Sequence, residues 1–219
     1  MVKQTARQRL LYAVILGLLA ALGPLCTDLY LPAMPEIASE LQTSTAAAQL
    51  SLTAGLLGLG MGQLIFGPYS DKLGRMRPLL ISLLLLLATS LWCALAPSIE
   101  QLLIARLLQG VAGAGGAVIS RAVARDLYTG HELTRFFALL MLINGLAPII
   151  APVMGGVMLQ FLDWRGIFSA LAIIALALFT LTAFKLHETL PMERRSQGGI
   201  VAMLLSLGAL ARQRQFMGL

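Results

Sequence analysis

Six unbroken apolar runs, each close to 20 residues long, leave this chain of 219 residues few folds to choose from. They cover 10–30, 46–66, 78–96, 99–119, 136–159 and 167–184. A helix needs about 20 mainly apolar residues to cross a hydrocarbon layer of about 30 Å, so each run is long enough for one crossing. The runs are continuous rather than alternating, and lipid tolerates no unpaired backbone. The expected fold is therefore an all-α membrane protein, a bundle of six transmembrane helices, rather than a β-barrel. With 58% hydrophobic and 12% charged residues, the chain has too little polar surface to clothe a soluble core. The first run exceeds the apolar core of a signal peptide, about 7–15 residues, and Thr27-Asp28-Leu29-Tyr30 is no small-residue cleavage site. It reads as a retained helix. A later run, 200–210, is too short to cross and reads as a surface helix.

Orientation follows from the basic residues. Of the 16 lysines and arginines, all but Arg106 and Arg165 fall on one set of loop ends. The positive-inside rule places that set, and with it both ends of the chain, in the cytoplasm. The net charge of +6 thus reflects topology, and its dispersal into short loop clusters argues against a nucleic-acid partner. Enzyme chemistry finds little apparatus. His131-Glu132-Leu133-Thr134-Arg135 starts like a zinc-protease helix but has arginine where the second histidine ligand must stand, so no metal site is expected. Neither a G-x-S-x-G elbow nor a phosphate-binding G-x-x-x-x-G-K loop occurs. Glycines sit inside the runs instead: Gly58 and Gly62 in the second, Gly110, Gly113 and Gly116 in the fourth. Small residues let helices approach closely in lipid, which is their plain reading. Cys26 and Cys93 both lie near outer helix ends, and two buried free thiols are expected rather than a disulfide.

Two charges resist a packing explanation. Asp28 lies near the outer end of the first run and Arg106 inside the fourth. Charges at membrane depth are costly, pair with partners, and mark ion or substrate pathways. The loop Gly67-Pro68-Tyr69-Ser70-Asp71-Lys72-Leu73-Gly74-Arg75-Met76-Arg77 then carries a resemblance. Its glycines permit tight turns, Asp71 stands at a helix end, and Lys72, Arg75 and Arg77 hold the loop at the membrane surface. This loop resembles the signature loop of the major facilitator superfamily, with Lys72 where the family prefers arginine. Arg106-Leu107-Leu108-Gln109-Gly110 is similar to that family's fourth-helix motif, associated with proton transfer. The segment from Gly145 through Pro148 and Pro152 to Gly155 and Gly156 resembles the fifth-helix motif of drug/proton antiporters, with Ala147 where a glycine often stands. Pro148 and Pro152 each remove a backbone donor, so a kink is expected there. The segment around Asp28, Tyr30, Pro32 and Pro35, with His187-Glu188-Thr189-Leu190-Pro191, resembles the bicyclomycin/chloramphenicol-resistance branch of bacterial multidrug exporters.

The resemblance implies a chain that forms one half of a twelve-helix fold. Residues 1–184 would be the N-terminal six-helix bundle and 185–219 a cytoplasmic linker towards a second half, with the substrate cavity between halves. It implies export of small-molecule drugs from the bacterial inner membrane, driven by protons and with no cofactor other than the proton gradient. Asp28 and Arg106 would couple protons, Gln109 and Asn144 would line the cavity, and Gly67, Asp71, Lys72, Gly74, Arg75 and Arg77 would form a cytoplasmic gate. Counting 1.5 Å per residue from the outer helix ends puts Asp28 and Arg106 about 7 Å apart in depth, within an arginine's reach, so the two are expected to pair. The same fold moving a sugar or amino acid, and a non-transporting membrane scaffold, are the alternatives. The fifth-helix Gly/Pro motif argues against the first.

Overall fold

The computed structural model describes residues 6–196, so 200–210 and the rest of the expected linker beyond residue 196 lie outside the described residues. Six helices are long and apolar enough to cross a membrane: α1 (Ala6–Asp28), α3 (Thr45–Leu73), α4 (Met76–Leu95), α5 (Ile99–Leu127), α6 (Gly130–Met158) and α7 (Trp164–Lys185). Each of the six apolar runs falls within or against one of them. The helices overshoot the runs at the basic end, where α3, α5 and α6 each reach 29 residues. That is about 43 Å, well beyond the hydrocarbon layer. Hydropathy marks the part of a helix in lipid; the hydrogen-bonded spiral continues into polar sequence that hydropathy discards.

The outer turns are closed by side chains that satisfy orphaned helix donors. Ser44 accepts from the N–H of Ala47 at 3.1 Å, and Asp163 from that of Gly166 at 2.7 Å. A short helix lies outside the six apolar runs. Pro32 and Pro35 stand in the first turns of a 3-10 turn (Leu31–Ala33) and of α2 (Met34–Glu40). Proline lacks the N–H that a helix start leaves unused, so it begins these turns rather than breaking them. A clamp fixes α2. Glu40 accepts from Trp164 Nε1 at 2.5 Å and from Arg165 Nη2 at 3.0 Å, while Arg165 Nη1 donates to the carbonyls of Ala94 and Ala96. Arg165, on the end opposite the basic loops, therefore ties α2, α4 and α7 together.

Helix α5 is the hub, packed against α1, α3 and α4, while α4 also meets α7 and α1 meets α6. Two-thirds of its apolar window is buried (67%), against 28% for α3 and 22% for α6, so α3 and α6 present large apolar faces outward. The α3–α5 contact is backbone on backbone. A Cβ on Gly58 would overlap the Leu107 carbonyl, and one on Gly110 the Gly55 carbonyl. The packing role assigned to these glycines is realised. A side chain on Gly145 would meet nothing within 4 Å. Gly110→Val should therefore destabilise the bundle by about 1–3 kcal/mol through overpacking, and Gly145→Val by much less. Thermal unfolding in detergent checks this, and equal losses for the two variants would refute the backbone contact.

Candidate functional site in the α5 hub and the basic-end cluster

Arg106, on α5, is buried at 1% exposure with α1, α3 and α7 around it. Its Nη1 donates to the backbone carbonyl of Cys26 at 2.8 Å and to Gln109 Oε1. Gln109 Nε2 passes the chain on to Ser90 Oγ on α4 at 2.8 Å. The guanidinium lies over the Tyr30 ring, 4.2 Å from its centroid, and 5.6 Å from that of Phe168 on α7. Facing aromatic rings favour a desolvated cation, so the burial is partly compensated. Tyr30 is itself held by Ser51 on α3, hydroxyl to hydroxyl at 3.0 Å. Gly55 leaves room: a Cβ there would stand 2.9 Å from Arg106 Nη2. Two donors remain open, because Nε and Nη2 have no acceptor. Buried unsatisfied donors are costly and rarely kept without use.

The structure separates residues that the sequence reading joined. Asp28 is half-buried as the last residue of α1 and has no hydrogen bond or ion pair among the described residues. The expected Asp28–Arg106 pair is not formed. Arg106 is instead engaged by the Cys26 carbonyl and Gln109, which leaves the Asp28 carboxyl without a partner among the described residues. Depth alone could not reveal this. Gln109 was expected to line a cavity but is fully buried between α4 and α5, because its amide is the link between Arg106 and Ser90. Asn144 is half-buried on α6, where its Nδ2 donates to the Leu140 carbonyl at 2.8 Å; the structure does not bring it to Gln109. Of the fifth-helix motif, Gly155 is buried and a Cβ on it would overlap the Leu29 carbonyl, so the motif presses α6 against the end of α1 beside Asp28. Gly145 and Pro148 are exposed, Pro152 and Gly156 partly so. Helix α6 runs unbroken across both prolines. Cys26 and Cys93 are buried free thiols.

A second cluster forms at the basic end. Gly74, at φ 94°, supplies the left-handed backbone that turns α3 into α4. Gly67 is no turn residue; it lies inside α3, which continues to Leu73. The turn delivers Arg75, at 6% exposure, between two carboxylates: Asp71 Oδ1 at 2.5 Å and Asp126 Oδ2, on α5, at 2.9 Å. Burial works against the Arg75 charge, but the hydrogen bonds to Asp126 and then Asp71 outweigh it and hold its pKa above the ordinary value. Lys72 and Arg77 are exposed. The segment after α7 folds back onto this cluster. Glu188 accepts from the N–H groups of Arg75 at 2.8 Å and Met76 at 3.2 Å, and Thr189 donates to Asp126 at 3.1 Å. Burial alone would raise the Glu188 pKa, yet backbone donors from Arg75, Leu190 and Met76, with the nearby Arg195 charge, hold it below the usual carboxylate range. Asp126 escaped the sequence reading and Glu188 received no role in it. The signal for Asp126 was an acid among the basic residues that follow the fourth run.

A sequence profile of the Major Facilitator Superfamily matches residues 16–219, and the chain belongs to that family. It is 50% identical over 216 residues to a Bacillus subtilis protein named an uncharacterized MFS-type transporter, YdgK, covering 98% of this chain and 54% of that one. It is 31% identical over 208 residues to a Haemophilus influenzae protein named as a bicyclomycin resistance protein homolog, covering 95% of this chain and 52% of the relative. Among solved structures, a D-xylose–proton symporter superposes with a TM-score of 0.69 at 16% identity, over 98% of this chain and 55% of the symporter, which bears on the fold alone. The chain spans about half the length of the curated relatives it matches and corresponds to the N-terminal half of their fold. It is a multi-pass membrane protein of a transporter family, with relatives named for antibiotic resistance.

Proposed function

We propose that this chain is the N-terminal half of a proton-coupled exporter of small lipophilic or amphipathic drugs, set in a bacterial inner membrane with both ends cytoplasmic. A second six-helix half would complete the cavity, and the two halves would rock to open it alternately to either side. The observation that carries the reading is Arg106: a fully buried cation with two uncommitted donors, joined to α1 two residues before an unpaired, half-buried carboxyl at Asp28. In the cycle, Asp28 takes up an outside proton, and on losing it attracts Arg106 away from the Cys26 carbonyl. Drug and proton then alternate in satisfying the same pair of charges. The Asp71–Arg75–Asp126 cluster holds the cytoplasmic end of the half and biases which side is open. The resistance proteins among the relatives support a drug as cargo.

The test is proton release when drug is added to the full-length, twelve-helix protein in detergent. Release from wild type and none from Asp28→Asn is the expected result. Unchanged release from Asp28→Asn would remove Asp28 from the proton path.

A further inference from the structure

Between the basic end of α1 and the end of α7 lies a groove of about 780 Å³, lined by Gln8, Leu10, Leu11, Tyr12, Val14, Phe184, Lys185 and His187. It belongs to neither the Arg106 network nor the Arg75 cluster. Its two parts have opposite chemistry. The wall is apolar and uncovered: Leu10 is 67% and Phe184 78% exposed. The rim is polar and basic, with no carboxylate in the lining. Lys185, the last residue of α7, is exposed and has no hydrogen-bond or ion-pair partner among the described residues. Tyr12 hydroxyl and His187 Nδ1 share a hydrogen bond at 3.4 Å, which fixes the imidazole at the rim and leaves its Nε2 free. The basic rim stands at the edge of the apolar spans, which begin at Leu10 on α1 and end at Lys185 on α7.

We infer that this groove binds one anionic phospholipid, with its phosphodiester at Lys185 and His187 and an acyl chain along Leu10, Val14 and Phe184. The occupant follows from the two parts together. Apolar side chains inside a span are covered by lipid or by another membrane helix. A helix would leave the Lys185 ammonium unanswered, whereas an anionic headgroup at the interface answers it at the depth where the wall ends. A basic rim at the end of an apolar cleft is the arrangement that selects anionic over zwitterionic headgroups. The inference needs only the membrane-spanning fold and does not depend on what the protein carries.

Native mass spectrometry of the full chain, released from micelles holding equal phosphatidylglycerol and phosphatidylcholine with the same acyl chains, reads this directly. Wild type should retain one phosphatidylglycerol in preference to phosphatidylcholine. Lys185→Gln should lower that preference about fivefold, the worth of one lysine at a charged lipid surface. Arg121→Gln removes the same charge from an exposed site at the same end of the bundle and should leave the preference intact. Val14→Trp, which fills the wall, should reduce retention of both lipids. Excess inorganic phosphate, lacking tails, should displace nothing. Equal retention of the two lipids, equal effects of Lys185→Gln and Arg121→Gln, or displacement by phosphate would each overturn the assignment.

Discussion

Arg106→Lys in the full-length transporter is expected to cut drug-driven proton release by at least about a hundredfold. Breaking a buried charge network by removing one partner costs about 3–5 kcal/mol, and a tenfold change corresponds to about 1.4 kcal/mol. The geometry explains why lysine fails. Arg106 uses one nitrogen to hold both Cys26 O and Gln109 while its flat face lies on Tyr30. A lysine ammonium could meet those two acceptors, but it cannot lie flat on the Tyr30 ring, and it lacks the second and third nitrogens that Arg106 keeps open. Gln109→Leu should lose less, since the Cys26 carbonyl and both rings remain, yet it strips one acceptor from a buried cation. If the two act as one unit, the double variant falls short of the summed losses. Strict additivity, measured by the same proton-release assay, would show that Gln109 serves α4–α5 packing alone.

The second large effect is expected at Asp126 rather than at the signature-loop Asp71. Both bind Arg75, but the Asp71 side chain is 53% exposed and that of Asp126 only 16%. An ion pair open to water contributes about 0–1 kcal/mol, whereas a hydrogen bond to a charged group in a sheltered site contributes about 1.5–3. Asp126 also accepts from Thr189, so it links α5 both to the α3–α4 turn and to the segment after α7. Asp126→Asn should therefore slow drug export about tenfold or more while equilibrium drug binding stays within about twofold, and Asp71→Asn should show a smaller loss in turnover. Paired transport and binding assays decide it. A collapse of binding with turnover of bound drug unchanged would place Asp126 in the cavity instead.

The number of crossings, their order and their class were legible because lipid leaves a chain so few options. Six apolar runs of membrane length became six helices, and the glycines of α3 and α5 were where close packing needed them. The signature loop likewise announced Arg75 and Asp71, which do meet. What the sequence concealed was direction around a helix axis. Arg106 took the Cys26 carbonyl rather than the Asp28 carboxyl as its partner, and Gln109 faced α4 rather than open space. Contacts between residues far apart in the chain were equally hidden. Nothing local to Glu188 says that its carboxylate will cap the first turn of α4, more than a hundred residues earlier. Proline misled at Pro32 and Pro35, which begin turns of helix, while Pro148 and Pro152 sit in a helix that continues.

Those last two prolines constrain what lies beside α6. A proline has no N–H, so the carbonyls four residues before Pro148 and Pro152, those of Asn144 and Pro148, lose the donor a regular helix would give them. Among the described residues no side chain donates to either, and the Asn144 amide is spent on Leu140. Helix α6 thus carries two acceptors at membrane depth that have lost their regular donor, and hydrocarbon has none to offer in its place. Pro148 and its neighbours Ile149 and Ile150 are exposed, so that stretch looks greasy by residue type while its backbone is thirsty for a donor. Acyl chains are the wrong neighbour for such a surface; water, or a partner bearing N–H or O–H groups, is the right one.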